Sequence, residues 1–130
     1  MNYLLDTNAV IALMKGHSGF LARLRQHQPR DFAMPSIVAH ELYFGAYKSR
    51  HAAGNLRRVE ALQFEILDFG PEDTRRAGEA RAQLASAGTP IGPYDVLIAG
   101  QALARSLTLV THNMREFQRV SGLSVEDWEG

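Results

Sequence analysis

Short apolar segments alternate with longer helix-forming segments along the whole chain, and this alternation strongly limits the possible folds. The periodicity and the turn residues predict four short strands, at residues 3–5, 31–34, 65–68 and 107–110, with 123–125 as a candidate edge strand. The predicted helices cover residues 8–15, 18–27, 35–48, 52–64, 71–87, 94–105 and 113–119. Such alternation predicts an α/β fold with three layers, in which helices cover both faces of a mostly parallel sheet of four or five strands.

The length and composition fit one domain. The chain has 130 residues, of which 45% are hydrophobic, and it contains no repeat, linker or low-complexity segment. We therefore expect a single domain over residues 1–130. An acidic residue at position 6 argues against a secretory leader, and no uncharged apolar run approaches the length of a membrane span. The expected location is the cytoplasm.

Charge and cysteine content limit the chemistry. The chain has no cysteine, which excludes disulfides, thiolate catalysis and cysteine-bearing zinc sites. Its 14 basic and 14 acidic residues balance, and a net charge of zero does not by itself indicate a nucleic-acid partner. If four of the acids converge on one metal site, the 14 basic residues outnumber the acids elsewhere, and the rest of the surface is mildly basic.

Asp6 stands where a buried strand is predicted to end. It follows two leucines and precedes a helix, so it falls at the edge of the sheet where α/β proteins bind ligands. A purely structural role is also open, because Asp6, Thr7 and Asn8 are all good N-caps for the next helix.

Glu41 lies within a helix whose neighbouring positions are apolar. Ile37, Phe44 and Gly45 are its neighbours at helical spacing, so a carboxylate interrupts an otherwise apolar face. Burying an unpartnered ion costs several kcal/mol. A buried salt bridge to an arginine would account for Glu41 without any function.

Two further segments carry polar residues near predicted strand ends or helix starts. Asp95 opens the most apolar helix of the chain, where its charge could simply favour the helix N-terminus. Thr111, Asn113 and Glu116 follow the strand LTLV. Asn113 could cap the short helix there, and Glu116 could be a solvated helix residue.

Taken together, these acids favour a metal site. Three or four carboxylates at one edge of the sheet would repel one another unless a divalent cation neutralised them. Oxygen ligands without cysteine suit Mg²⁺ or Mn²⁺. The five histidines show no zinc-site spacing. His40 and His112 could approach the site, but we expect neither to be a ligand.

Four segments resemble the signature segments of VapC-type PIN domains. They are LLDTN at 4–8, HELYFGA at 40–46, GPYDVLIAG at 92–100 and THNMREF at 111–117, in the family's order and spacing. The resemblance extends over essentially the whole chain and implies a PIN-like three-layer α/β/α fold. Many PIN domains have aspartate where this chain has Asn113, a departure that leaves open whether Glu116 turns inward to compensate.

The resemblance also implies the activity of a Mg²⁺- or Mn²⁺-dependent endoribonuclease. Asp6, Glu41 and Asp95 would hold the metal, and Glu116 would join them as a catalytic acid. Asn113 would occupy the fourth position, with Thr7 and Thr111 supporting the ligands. VapC proteins are the toxins of bacterial toxin-antitoxin pairs, so the resemblance implies a VapB-type antitoxin that neutralises this chain. It also implies a homodimer, and a tRNA substrate that is cut in its anticodon region. Position alone suggests five basic residues that could bind the RNA backbone, namely Lys48, Arg50, Arg75, Arg76 and Arg115.

Two other functions remain open at this stage. The acids could be caps and salt-bridge partners in a PIN-like binding module without catalysis. A Mg²⁺-dependent phosphotransfer or phosphatase domain is less well supported, because DTN contains a single acid and no lysine follows residue 48.

Overall fold

A sheet of five parallel strands forms the centre of the computed structural model, which describes residues 1–130. The strands are β1 (Tyr3–Leu5), β2 (Phe32–Pro35), β3 (Glu65–Leu67), β4 (Thr108–Val110) and β5 (Val125–Glu126), and they lie in the order β3-β2-β1-β4-β5. Every neighbouring pair is parallel, so the sheet is wholly rather than mostly parallel.

Seven helices connect and cover the strands. They are α1 (Thr7–Met14), α2 (Ser18–Leu24), α3 (Ser36–Lys48), α4 (Ala52–Glu60), α5 (Pro71–Ser86), α6 (Pro93–Ala104) and α7 (Met114–Phe117). Connections between parallel strands are right-handed as a rule, and with this strand order the rule puts α1 to α4 on one face of the sheet and α5 to α7 on the other. This arrangement confirms the three-layer α/β/α fold predicted from the sequence. None of these helices is both long and apolar enough to span a membrane.

Several predicted boundaries were wrong. The second helix was expected to reach residue 27 but ends at Leu24, where a turn leads to a short 3₁₀ helix at Pro29–Asp31. After Leu24 the helical hydrogen bonds give way to tighter turns, in which the Gln26 and His27 amides donate to the carbonyls of Arg23 and Leu24. The fourth helix ends at Glu60 rather than at residue 64, because the intervening residues turn the chain back towards β3. The edge strand begins at Val125, two residues later than expected.

Helices α5 and α6 approach each other unusually closely at Gly100. A Cβ atom added there would lie 2.5 Å from the backbone and side chain of Ala77. Only glycine permits this approach. The same helices share a buried polar network, in which Asp73 accepts hydrogen bonds from Gln101 and Arg105.

The C-terminal segment is anchored by the single tryptophan of the chain. Trp128 is buried, and its ring packs against those of Tyr3, Phe20, His27 and Phe32. The Trp128 indole also donates a hydrogen bond to Glu126. This packing holds the residues on either side of Trp128 beside the carboxyl end of the sheet.

Candidate active site

The strand order creates a crevice at the carboxyl ends of β1 and β4. The chain passes from β1 to β2 on one side, whereas β4 joins β1 on the other side after the crossover from β3. The connections that follow β1 and β4 therefore leave the sheet edge in opposite directions. Ligands of open α/β sheets bind at such points. Asp6 directly follows β1, and Thr111 directly follows β4.

Asp6 is both a helix cap and part of this crevice. Its side chain is 4% exposed, and Oδ1 accepts a 2.8 Å hydrogen bond from the Ala9 amide, which confirms the capping interpretation. Burial raises the pKa of Asp6 from 3.8 to about 6, although hydrogen bonds from the Thr111 hydroxyl and the Ala9 amide lower it. The charges of Asp95 and Glu129 raise this pKa further.

Glu41 reaches the crevice from α3. The Thr7 hydroxyl donates a 2.8 Å hydrogen bond to Glu41 Oε1. Glu41 and its expected apolar neighbours Ile37 and Gly45 are half-buried. The fully buried face of α3 instead carries Val38, Ala39, Leu42 and Ala46. Phe44 was wrongly expected on this apolar face, because its side chain is 60% exposed. The arginine salt bridge that would have explained Glu41 does not form, so this carboxylate has no cationic partner.

Asp95 lies in the first turn of α6. A helix N-terminus normally favours a charged carboxylate and lowers its pKa. Here burial raises the pKa of Asp95 to about 6, and repulsion from Glu116 and Glu41 adds to the effect. Three carboxylates from different helices therefore lie close enough to perturb one another.

Asn113 connects the end of β4 to Glu116. Its side chain does not cap α7, contrary to one of the two interpretations of this residue. The Asn113 amide Nδ2 instead donates a 3.2 Å hydrogen bond to Glu116 Oε2. The Asn113 backbone amide donates to the buried Thr111 hydroxyl at 2.9 Å. These contacts turn Glu116 towards Asp95, so Glu116 is not the fully solvated helix residue of the alternative interpretation.

We call Asp6, Glu41, Asp95 and Glu116 the acidic cluster. No lysine, arginine or histidine forms a salt bridge with any of its members. An uncompensated group of oxygen ligands fits a hard divalent cation. No three of these carboxylates have oxygens that all lie within 4.8 Å of one another. Mg²⁺ commonly keeps several water ligands, so a site of this width suits an ion that contacts part of the cluster through water.

A second group of possible metal ligands was missed by the sequence interpretation. His112, Asp127 and Glu129 have ligand atoms that all lie within 4.8 Å of one another. His112 Nδ1 is 3.1 Å from Asp127 Oδ2 and 3.9 Å from Glu129 Oε2. The charge of Glu129 also reaches Asp6. No local sequence signal joins these residues, because the packing of Trp128 brings the C-terminal segment to the end of β4.

Comparison with known proteins agrees with this geometry. The family profile described as PIN domain matches residues 3–123. The tRNA(fMet)-specific endonuclease VapC of Salmonella typhimurium is 38% identical over 98% of both chains. Ribonuclease VapC2 of Haemophilus influenzae is 37% identical, again over 98% of both chains.

Solved structures show the same similarity. A chain of the DNA-bound VapBC complex of Salmonella typhimurium is 40% identical, with a TM-score of 0.93 over 98% of both chains. A chain of VapBC-1 from nontypeable Haemophilus influenzae gives a TM-score of 0.91 at 34% identity over the full length of both. The chain therefore belongs to the PIN-domain family, among the VapC ribonucleases.

Proposed function

We propose that this chain is a Mg²⁺- or Mn²⁺-dependent endoribonuclease of the VapC type, acting as a single domain over residues 1–130. The observation that carries the proposal is the acidic cluster, whose carboxylates meet at the carboxyl edge of the sheet without a basic partner. A structural ion-pair network would contain cations of its own, whereas a site for a metal and a phosphodiester must leave the carboxylates free.

In this proposal Asp6, Glu41 and Asp95 hold the metal and Glu116 completes the acidic cluster. The bound ion would supply an acidified water and neutralise charge that develops on the phosphate. Because the pKa values of Asp6 and Asp95 are about 6, both carboxylates are mostly ionised at neutral pH and can act as ligands.

The neutral residues of the site would position these acids. Thr7 holds Glu41 through one oxygen and leaves the other carboxylate oxygen free. Asn113 holds Glu116 in a similar way. Thr111 links the end of β4 to both Asp6 and Asn113. Residues that orient metal ligands typically change metal affinity by about 10- to 100-fold when they are removed.

We further propose a tRNA substrate cut in its anticodon region and a VapB-type antitoxin as the neutralising partner. The Salmonella relative named as tRNA(fMet)-specific supports the substrate, and VapBC complexes among the similar structures support the partner. An anticodon loop offers unpaired nucleotides to a cleft. We expect the toxin to form a homodimer and to act in the cytoplasm, where its substrate is found.

The decisive experiment is incubation of purified, antitoxin-free protein with total tRNA and Mg²⁺ or Mn²⁺, followed by mapping of the cleavage ends. Parallel reactions contain EDTA or the Asp95→Asn variant. Discrete cuts that disappear in both controls are the expected result. Cuts that persist in both would point to a contaminating nuclease and would contradict the proposal.

Metal titration distinguishes the enzyme from a non-catalytic binding module. The enzyme should bind Mn²⁺ and should lose that binding in the Asp95→Asn variant. A folded protein that binds neither Mg²⁺ nor Mn²⁺ and leaves total RNA intact would be a PIN-like binding module.

A further inference from the structure

A cleft of about 450 Å³ lies between α1, α3 and α4, and Glu41 is the one member of the acidic cluster that lines it. Thr7, which donates a hydrogen bond to Glu41, lines the cleft as well. Its walls carry apolar side chains from all three helices, namely Ile11, Met14, Leu42, Ala46 and Val59. Lys15 and Arg58 supply its two basic side chains. The cleft therefore combines acidic, apolar and cationic groups in one small space.

Lys15 and Arg58 differ from several other basic residues in having no partner within the chain. Neither side chain makes a hydrogen bond or a salt bridge, and both are exposed. Arg23, Arg76 and Arg105, by contrast, are paired with acids. The five basic residues that the sequence suggested for binding the RNA backbone do not line the cleft. Two unpaired cations beside an acidic cluster are available for an anionic ligand.

We propose that this cleft binds the RNA strand directly beside the phosphate that is cut, and this inference rests on the proposed function. Lys15 and Arg58 contact backbone phosphate, while the apolar wall accepts an unstacked base or its sugar. Charge accounts for this division of the site. The phosphate to be cut would lie at the acidic cluster, where the metal balances its charge, and the next phosphate of the RNA strand needs cations such as Lys15 and Arg58 nearby. The volume is also within the usual range for pockets that hold a small ligand unit.

Gly45 makes the cleft testable without damage to the fold. This residue lines the cleft, and a Cβ atom added to it would meet no other atom within 4 Å. A leucine at this position therefore extends into open space within the cleft and also favours the helical conformation of α3. Gly78 on α5 offers a matched control, because it is exposed and its Cβ would likewise meet nothing within 4 Å.

The experiment measures RNA binding to the Asp95→Asn chain at several salt concentrations, with single-stranded RNA and unmodified tRNA as probes. The double substitution Lys15→Gln with Arg58→Gln removes the cleft cations. The control is Arg30→Gln with Arg81→Gln, which removes two exposed arginines that do not line the cleft. Thermal melts verify that each variant is folded. The Gly45→Leu and Gly78→Leu variants are measured in the same way.

Loss of Lys15 and Arg58 should weaken RNA binding roughly tenfold. It should also make the plot of the logarithm of the RNA association constant against the logarithm of the salt concentration less steep by about 1.4, because each of two lost phosphate contacts on a single strand contributes about 0.7. Gly45→Leu should also weaken binding, whereas the arginine control and Gly78→Leu should leave it unchanged. Unchanged affinity and slope in the Lys15 and Arg58 variant would overturn the inference, even if tRNA cleavage by the unsubstituted chain supports the proposed function.

Two other outcomes also count against it. If the cleft variants lose affinity for a VapB-type antitoxin but keep their affinity for RNA, the cleft serves the protein partner instead. If the Asp95→Asn chain shows no saturable RNA binding, the inference about the cleft fails. A simultaneous absence of tRNA cleavage by the unsubstituted chain would then remove the proposed function as well.

Discussion

The Thr7 hydroxyl lies 2.8 Å from Glu41 Oε1 and donates a hydrogen bond to it, although the two residues are 34 positions apart in the chain. This bond joins the first turn of α1 to the middle of α3 and orients a carboxylate that has no cationic partner. We therefore expect Thr7→Val to reduce Mn²⁺ affinity and tRNA cleavage by about tenfold or more, while the fold survives. Calorimetric Mn²⁺ titration and initial cleavage rates measure the two effects.

Thr7→Ser is the matched control for this prediction. Serine keeps the hydroxyl and should retain most of the metal affinity. Equal Mn²⁺ binding by the Val and Ser variants would show that the bond to Glu41 has no role in positioning the carboxylate.

Asp95 should destabilise the metal-free fold at neutral pH. Its pKa rises from 3.8 to about 6, so the folded state binds more protons than the unfolded state between those values. The free energy of unfolding therefore falls as pH rises through this window. In EDTA, Asp95→Asn should be more stable than the unsubstituted chain by about 1 kcal/mol at pH 7. The expected gain is small because Asp95 is only partly buried and solvent screens its charge.

Urea unfolding at pH 4 and pH 7 tests this prediction. The stability difference between Asp95→Asn and the unsubstituted chain should be small at pH 4 and larger at pH 7. Glu60→Gln, which changes an exposed acid on α4, should give little change with pH. A gain from Asp95→Asn that is the same at both pH values would contradict the assigned cause.

Asn113 reduces the repulsion within the acidic cluster. Its amide donates to Glu116, whereas an aspartate at this position would place a further negative charge beside that carboxylate. Asn113→Asp should lower the metal-free stability at pH 7 by about 1 kcal/mol and increase the stabilisation by Mn²⁺. Thermal melts with EDTA and with Mn²⁺ measure both effects.

Asn113→Ala separates the added charge from the lost hydrogen bond. The alanine variant should be less stable than the unsubstituted chain, without the increased response to Mn²⁺. If Asn113→Asp and Asn113→Ala respond equally to Mn²⁺, the carboxylate at position 113 does not contribute to metal binding.

Arg105 stabilises the fold at a distance from the acidic cluster. Burial by itself would raise the pKa of Asp73, but hydrogen bonds from Arg105, the Gly70 amide and Gln101 hold it below 3.8. Arg105→Gln should therefore lower the free energy of unfolding by about 1 to 3 kcal/mol at pH 7, discounted for the partial exposure of the arginine. Chemical unfolding measures this loss.

The pH dependence of this contribution has the opposite sign to that of Asp95. The lowered pKa of Asp73 stabilises the fold above pH 3.8, and this stability is lost as the pH falls through the pKa of Asp73 in the folded state. The loss caused by Arg105→Gln should therefore shrink in strong acid. Cleavage at a temperature where the variant is folded should be unchanged, and a large drop in cleavage there would contradict a purely structural role.

The sequence alone was sufficient to predict the architecture and to select the segments whose acids meet in the candidate site. Strand and helix periodicity depends on local patterns, so the α/β order could be read directly, and Asp6 and Thr111 lie where a ligand crevice was expected. Helix ends were less predictable. The chain leaves α4 at Glu60 because packing of the next residues, and not their helix propensity, decides where the helix stops.

Only the tertiary structure decided which polar groups meet. The bond from Thr7 to Glu41 and the approach of Glu116 to Asp95 join residues on different helices, and no local pattern encodes such distances. The sequence determined that acids follow the strand ends, because the short apolar segments define where each strand stops and the acids come next in the chain. Folding decided that these acids share one crevice without a cation, because burial and charge repulsion depend on every element packed around them.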